Sequence, residues 1–254
     1  MTSPQDRLAL VTGTSAGIGA ALAKQLLARG WRVVGVARRL AAIDHPQYTH
    51  LSVDLAHVTH AIAAIERVVV PLVADSRWRR IGLVNNAALG GMLGPLENIA
   101  PDALLTLYAV NVAAPVRLMG LAVERSHPDA ALRIVNLSSG AAVHPFPGLA
   151  AYGSSKAALR MAGMILAAEL ESPLRSGTPR TDAAIVSYEP GIVETSMQVT
   201  ARSTSPDEFP WVGIFHDFHL QGRLVAPELP AADIVALLES DGLPRFSERR
   251  LASS

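Results

Sequence analysis

Short apolar runs alternate along the chain with longer segments whose apolar residues recur at helical spacing. Six of these runs are predicted strands, at residues 8–11, 33–36, 50–53, 81–84, 132–137 and 183–188. The first run, Leu8-Ala9-Leu10-Val11, is continuously apolar rather than alternating, which is typical of a strand buried on both faces of a parallel sheet.

The segments between the strands predict helices. They begin near residue 18, with Gly30 as the stop, and continue at 56–74, 101–125 and 152–170. Pro71 should interrupt the end of the second helix, and Pro115 should kink the third unless it starts a new segment. Strands that alternate with helices predict an α/β fold, a doubly wound parallel sheet in three layers with helices on both faces.

No internal repeat or linker divides the chain, so residues 1–254 are expected to form one domain. Residues 195–226 read as irregular and contain several aromatic residues and two histidines. A long insertion late in such a fold is expected to cover the site as a substrate lid rather than to be a disordered loop.

The amino-acid composition argues against several classes of function. The 254 residues include 22 basic and 22 acidic side chains, so no charge excess indicates nucleic acid, and no cysteine is present for disulfides or thiolate zinc sites. The histidines show no metal-ligand spacing. The first six residues are polar, unlike a secretory signal, and no apolar run predicts a membrane span. We expect a soluble, cytoplasmic protein.

A glycine-rich turn follows the first strand and opens the first helix. Gly13, Gly17 and Gly19 lie in the run Thr12-Gly13-Thr14-Ser15-Ala16-Gly17-Ile18-Gly19. Glycines let a backbone turn sharply and approach a phosphate, and a helix N-terminus offers free N–H groups. The run predicts a pyrophosphate site, although a tight turn without a ligand would also use glycine.

The second strand ends in two arginines, Arg38 and Arg39, where dinucleotide-binding folds often carry an acidic residue. An acid at this point holds a free ribose 2′-hydroxyl, whereas arginine accommodates a 2′-phosphate. The pair could also be solvated surface charges. We expect NADP(H) to be preferred over NAD(H).

Tyr152 and Lys156 are four residues apart on a predicted helix and therefore share one face. A nearby cation should lower the phenol pKa from its usual value near ~10. Ser139 ends the fifth predicted strand, at the edge of the sheet where catalytic groups gather. With hydride from a nicotinamide, Ser139 would hold a substrate carbonyl and Tyr152 would supply the proton.

These motifs together resemble those of the short-chain dehydrogenase/reductase family, whose fold is of the Rossmann type. The resemblance rests on the glycine turn, Asp54-Leu55, Asn85-Asn86-Ala87, Asn111, Ser139, Tyr152-x-x-x-Lys156 and Pro190-Gly191. It covers residues 8–197. One departure is Ala88, where the family usually has glycine.

The resemblance implies a role for each matching position. The implied catalytic residues are Asn111, which would hold a water in a proton relay, Ser139, Tyr152 and Lys156. The implied cofactor-binding residues are Gly13, Ser15, Gly17, Ile18, Gly19, Arg38, Arg39, Asp54, Leu55, Asn85, Ala87, Tyr152, Lys156, Pro190, Gly191, Val193 and Thr195. Members of the family commonly form homodimers or homotetramers.

The segment from Tyr188 to Gln198 is similar to the sepiapterin reductase and benzil reductase branch, which reduces vicinal dicarbonyl compounds with NADPH. We expect a small ketone or an aromatic diketone rather than a pterin. An alcohol dehydrogenase, a 3-oxoacyl reductase and a non-catalytic cofactor-binding protein remain alternatives. Position in the chain makes residues 90–93, His144, Phe146, Trp211 and Phe215 the candidates for contact with substrate.

Overall fold

Seven parallel strands form one sheet in the computed structural model, which describes residues 6–91, 93–176 and 180–252. The strand order is β3-β2-β1-β4-β5-β6-β7. The strands are β1 (Arg7–Thr12), β2 (Arg32–Ala37), β3 (Tyr48–Ser52), β4 (Arg80–Asn85), β5 (Ala131–Leu137), β6 (Ala183–Glu189) and β7 (Phe246–Arg250). The order reverses between β1 and β4, and the crevice at that switch point is where such sheets bind ligands.

Helices cover both faces of the sheet, as the alternating pattern predicts. They are α1 (Gly17–Ala28), α2 (Val58–Val73), α3 (Pro101–Tyr108), α4 (Ala114–Arg125), α5 (Ala150–Glu171), α6 (Ser196–Ser203), α7 (Gly213–Leu220) and α8 (Glu228–Glu239). One core cluster lies between the sheet and α2, α4 and α5. A second lies between the sheet and α1 and α8 and includes the buried Trp31. The predicted α/β class and its three layers are confirmed.

The predicted helix 101–125 is two helices joined by a π-helical segment, Ala109–Ala113. Pro115 lies in the first turn of α4, so it starts a new segment rather than kinking a continuous one. By length and a mean hydropathy of 1.5, the stretch Pro101–Arg125 could also cross a membrane. Here Leu118 and Leu121 are buried in the core against the sheet.

Other differences from the sequence pattern lie near element ends and in the last third of the chain. Pro71 is inside α2, which nevertheless continues to Val73. The segment 195–226 is not mainly irregular, because it contains α6 and α7. The sequence pattern predicts neither α8 nor β7. β7 is a charged, largely exposed edge strand, so it carries no apolar run.

Candidate active site

The glycine turn brings β1 into the N-terminus of α1. Gly13 and Gly17 have φ of +78° and +56°, which a residue with a side chain would adopt only with strain. Helix α1 has no side-chain cap and no acidic residue in its first turn. Its first N–H groups therefore remain available for an anion, which fits a pyrophosphate at this point.

Asn86 ties this turn to the end of β4, a contact that the sequence pattern does not reveal. Its Nδ2 donates to the carbonyl oxygen of Thr12 at 2.8 Å, and Thr12 Oγ1 accepts from the backbone N–H of both Asn86 and Ala87 at 3.0 Å. A Cβ at Gly13 would lie 2.6 Å from Asn86 Nδ2, and one at Gly19 would collide with the Gly13 carbonyl. Part of the glycine signal therefore reflects close packing of the turn on β4.

The residues predicted for the adenosine end lie at the carboxyl ends of β2, β3 and β4. Arg38 and Arg39 are exposed, and Arg38 Nη1 is 3.9 Å from Asp54 Oδ2. Asp54 also accepts from the backbone N–H of Ala56 at 3.0 Å. The Arg38 side chain is 65% exposed.

Three other predicted cofactor residues have structural contacts of their own. Leu55 is buried in the core. Asn85 is buried and donates through Nδ2 to Asn136 Oδ1 at 2.8 Å, which joins β4 to β5. The Ile18 side chain is also buried, beneath the turn, whereas Ser15 is only half-buried. Any contact of Leu55 and Ile18 with a cofactor would therefore be made mainly by backbone atoms.

Ser139, Tyr152 and Lys156 come together at the carboxyl edge of β5. Ser139 lies two residues beyond the end of the strand, and its hydroxyl is close enough to the Tyr152 side chain to lower the pKa of the phenol. Lys156 lies one turn along α5 and is 3% exposed. Its Nζ donates to the Leu137 carbonyl at 2.7 Å and lies 5.6 Å from the centre of the Tyr152 ring. The three predicted catalytic residues thus form one cluster.

Burial dominates the electrostatics of this cluster. It raises the pKa of Tyr152 to about 12, an effect that the hydrogen bond with Ser139 partly opposes. Burial also lowers the pKa of Lys156 to about 8. The expected decrease of the phenol pKa below 10 is therefore not found in this structure, because the loss of hydration outweighs the favourable contacts. The Tyr152 phenol is therefore protonated at neutral pH.

Asn111 lies in the π-helical segment between α3 and α4 and is fully buried. Its Oδ1 accepts from the backbone N–H of Leu89 at 2.8 Å. Its Nδ2 donates to the Leu89 carbonyl at 2.9 Å and to Ser155 Oγ at 3.1 Å. The side chain joins the β4 loop to the helix of Tyr152 and Lys156. π-helical turns are frequent at functional sites, and a role for Asn111 in a water relay stays a prediction.

The loop after β6 returns toward the glycine turn. Gly191 has a φ of +75°, and Val193 forms a parallel bridge with Val225. A Cβ at Gly17 would lie 3.3 Å from Thr195 Cγ2, so Thr195 is beside the turn. The segment from Pro190 to Thr195 therefore passes close to the phosphate end of the predicted cofactor site.

The insertion 195–226 packs on two loops that surround the catalytic cluster. Phe209 and Trp211 lie against Gly148, in the loop that leads into α5. Met197 lies against Gly90, so a Cβ there would be 2.6 Å from Met197 Cγ. The predicted pocket segment 90–93 includes Met92, which lies outside the described residues.

An open cleft of about 660 Å³ lies beside this packing, and His144, Phe146 and Trp211 line it together with Ser154. Ser139 and Tyr152 do not line the cleft. Phe215 packs edge-on against Phe209, with ring centroids 5.7 Å apart, and does not line it either. The structure thus brings together three of the four predicted substrate residues.

A sequence profile described as short chain dehydrogenase matches residues 7–206. A benzil reductase ((S)-benzoin forming) of Bacillus subtilis is 32% identical over 236 residues, which cover 91% of this chain and 93% of that protein.

Two solved structures bear on the cofactor. A 3-ketoacyl-(acyl-carrier-protein) reductase from Brucella melitensis complexed with NADH is 25% identical, with a TM-score of 0.74 and coverage of 98% of each chain. A metagenomic short-chain oxidoreductase in complex with NADP is 27% identical, with a TM-score of 0.68 and coverage of 98% of this chain and 99% of that one.

Proposed function

Because the chain belongs to the short-chain dehydrogenase family, and so is a nicotinamide-dependent oxidoreductase acting on C=O or CH–OH groups, we propose that it is an NADPH-dependent carbonyl reductase. Its substrate would be a small ketone or vicinal diketone. The observation that carries the proposal is the cluster of Ser139, Tyr152 and Lys156 beyond the carboxyl end of β5, with Lys156 Nζ 5.6 Å from the centre of the Tyr152 ring.

The state of the Tyr152 phenol supports reduction. With its pKa raised to about 12, the phenol is fully protonated at neutral pH and can donate to a developing alkoxide. The bound nicotinamide would supply the hydride. Ser139 would hold the carbonyl oxygen through its hydroxyl, and the ammonium of Lys156 would stabilise the phenolate that forms.

Arg38 supports NADPH as the preferred cofactor. Its guanidinium is largely exposed at the end of β2, and its contact with Asp54 is long, at 3.9 Å. It can therefore turn toward a ribose 2′-phosphate without breaking a strong ion pair. The similarity to a benzil reductase over most of both chains supports a vicinal diketone as substrate.

The proposal extends to a homodimer or homotetramer. Val116 of α4 and Met161 and Ile165 of α5 are apolar yet 40%, 49% and 51% exposed. They provide an apolar surface that a second copy could cover. Light scattering on the purified protein would give the mass, and a monomer at micromolar concentration would contradict this part.

The decisive experiment follows NADPH oxidation with phenylpropanedione and benzil, with NADH in parallel. Tyr152→Phe should lower kcat by about 10²- to 10⁴-fold, the usual contribution of a general acid, while NADPH still binds. Tyr108→Phe is the matched control, since Tyr108 ends α3 outside the cluster. If Tyr152→Phe reduced ketones as fast as the parent enzyme, the mechanism would be wrong.

A further inference from the structure

Glu189 is the last residue of β6, directly before Pro190-Gly191. Alternate side chains on a strand face opposite sides of a sheet. Ile185 belongs to the core cluster shared with α5, whereas Tyr188 belongs to the cluster shared with α1 and α8. Glu189 is therefore on the face of α5, the helix that carries Tyr152 and Lys156.

The Glu189 carboxylate lies beside the end of β5 where Ser139 stands. A Cβ built on Gly140, the residue after Ser139, would lie 3.3 Å from Glu189 Oε1 and 4.0 Å from Phe146 Cε2. The chain segments of β5 and β6 are still hydrogen-bonded to each other at this end of the sheet, since Ser138 donates its N–H to the Tyr188 carbonyl at 2.7 Å. The carboxylate and the Phe146 ring thus both border Gly140, next to the hydroxyl expected to hold the substrate.

The charge of Glu189 is only weakly compensated. Among the described residues its ion-pair partner is Arg250, whose Nε is 3.4 Å from Oε1 and whose side chain is 68% exposed on the edge strand β7. Exposed pairs of this kind contribute little energy. An ionised carboxylate only accepts hydrogen bonds. A ligand group next to it is favoured when it donates and disfavoured when it is another acceptor or an anion.

We propose that Glu189 determines the substrate class of this site. It favours a ketone, or the matching alcohol, with an ammonium or hydroxyl group on the carbon next to the reacting one, and it disfavours a carboxylate there. The inference rests on the proposed function, because it places the reacting carbon at Ser139 and Tyr152. It narrows that function to a preference among ketones: a diketone, which offers only acceptors to Glu189, would still be reduced but would bind less tightly than a hydroxyketone.

The test uses three alcohols that differ only in the group beside the carbinol: phenylethanolamine, phenylethylene glycol and mandelate. Their Kd values are measured by tryptophan fluorescence in the NADPH complex, where no alcohol can be oxidised. The parent protein should bind the amine most tightly and mandelate most weakly. Glu189→Gln should weaken amine binding about tenfold and strengthen mandelate binding, as expected for loss of a charge-assisted hydrogen bond.

Glu194→Gln is the matched control, because Glu194 lies five residues later and is paired with Arg202 at 2.8 Å. It should leave the three Kd values unchanged. If Glu189→Gln unfolds at a clearly lower temperature than the parent protein, Glu189→Ala is measured in its place. The inference is overturned if the three Kd values of Glu189→Gln stay within twofold of those of the parent protein. It is also overturned if the parent protein binds none of the three alcohols. If the order depends on Glu189 but no ketone is reduced with NADPH, the proposed function fails and the assignment of Glu189 stands.

Discussion

The phenol oxygen of Tyr48 lies 2.9 Å from Oγ1 of Thr14, so a side chain of β3 holds the glycine turn from below. Thr14 is fully buried, and the phenol also contacts Nδ1 of His50 at 3.3 Å. The ring passes over Gly35 of β2, where any Cβ would collide with it. The position of the turn thus depends on a residue two strands away.

Removing this phenol oxygen should weaken cofactor binding without slowing the chemical step. Tyr48→Phe leaves the Thr14 hydroxyl buried without this partner, a loss of about 1 kcal/mol or more, which corresponds to about a fivefold increase in the Kd for NADPH. Saturating NADPH should restore kcat. Fluorescence titration of NADPH gives the Kd, and Tyr108→Phe serves as the control. An unchanged Kd would mean that the turn keeps its position without Tyr48.

The sequence predicts six of the seven strands because most of them are runs dominated by apolar residues between turn residues. β7 is not predicted because its sequence, Phe246-Ser247-Glu248-Arg249-Arg250, is charged. The strand pairs along one side only, with β6, and so needs no apolar run. The π-helical segment that contains Asn111 is not predicted from the sequence for a different reason. Its residues continue a helical pattern, and the change of hydrogen bonding at Ala109–Ala113 comes from packing.

The cluster of Ser139, Tyr152 and Lys156 follows from spacing and strand position alone, whereas its electrostatics do not. Spacing suggests a phenol stabilised as phenolate, but burial keeps Tyr152 neutral and weakens the charge on Lys156. The sequence pattern likewise does not reveal what Asn86 and Glu189 contact at the site. Their roles depend on contacts with Thr12 and Gly140, which the fold alone brings near.

Arg38 should determine the choice between the two nicotinamide dinucleotides. Arg38→Ala removes the guanidinium that would pair with the 2′-phosphate, and such charged contacts contribute about 1.5–3 kcal/mol. The kcat/KM with NADPH should fall about 10- to 100-fold, while that with NADH changes little. Arg67→Ala, at an exposed arginine of α2, is the control. An equal loss with both cofactors would show that Arg38 does not recognise the phosphate.

Lys156 should make the stability of the protein depend on alkaline pH. Its pKa falls from 10.5 to about 8 on folding, so between these values the unfolded chain binds a proton that the folded chain has released. Stability therefore rises with pH across this window and is lost as pH falls through about 8. The full effect is about 3 kcal/mol. Urea unfolding from pH 7 to 10 should show that Lys156→Met removes most of this rise.

The other lysine of the chain, Lys24, is exposed on α1 and provides the control. Lys24→Met should keep the rise in the free energy of unfolding that the parent shows. Comparing variants at each pH cancels the contributions of other groups, among them Tyr152, whose raised pKa acts only above pH 10. A pH profile of Lys156→Met parallel to that of the parent would mean that Lys156 stays charged in the fold.

Gly148 should control how the insertion 195–226 packs over the site. It has a φ of +79°, and a Cβ there would collide with the Phe209 ring and lie 3.0 Å from Trp211 Cε3. Gly148→Ala therefore adds strain of about 1–3 kcal/mol from the backbone and a similar amount, about 1–3 kcal/mol, from overpacking. Because Phe209 and Trp211 must move, kcat/KM for a bulky diketone should fall more than the affinity for NADPH.

Gly222→Ala is the control that measures backbone strain alone, since Gly222 has a φ of +63° and nothing within 4 Å of its Cβ position. Urea unfolding and steady-state kinetics on both variants separate the effects. Equal destabilisation of the two, with unchanged kcat/KM, would show that the contact of Phe209 with Gly148 does not shape the site.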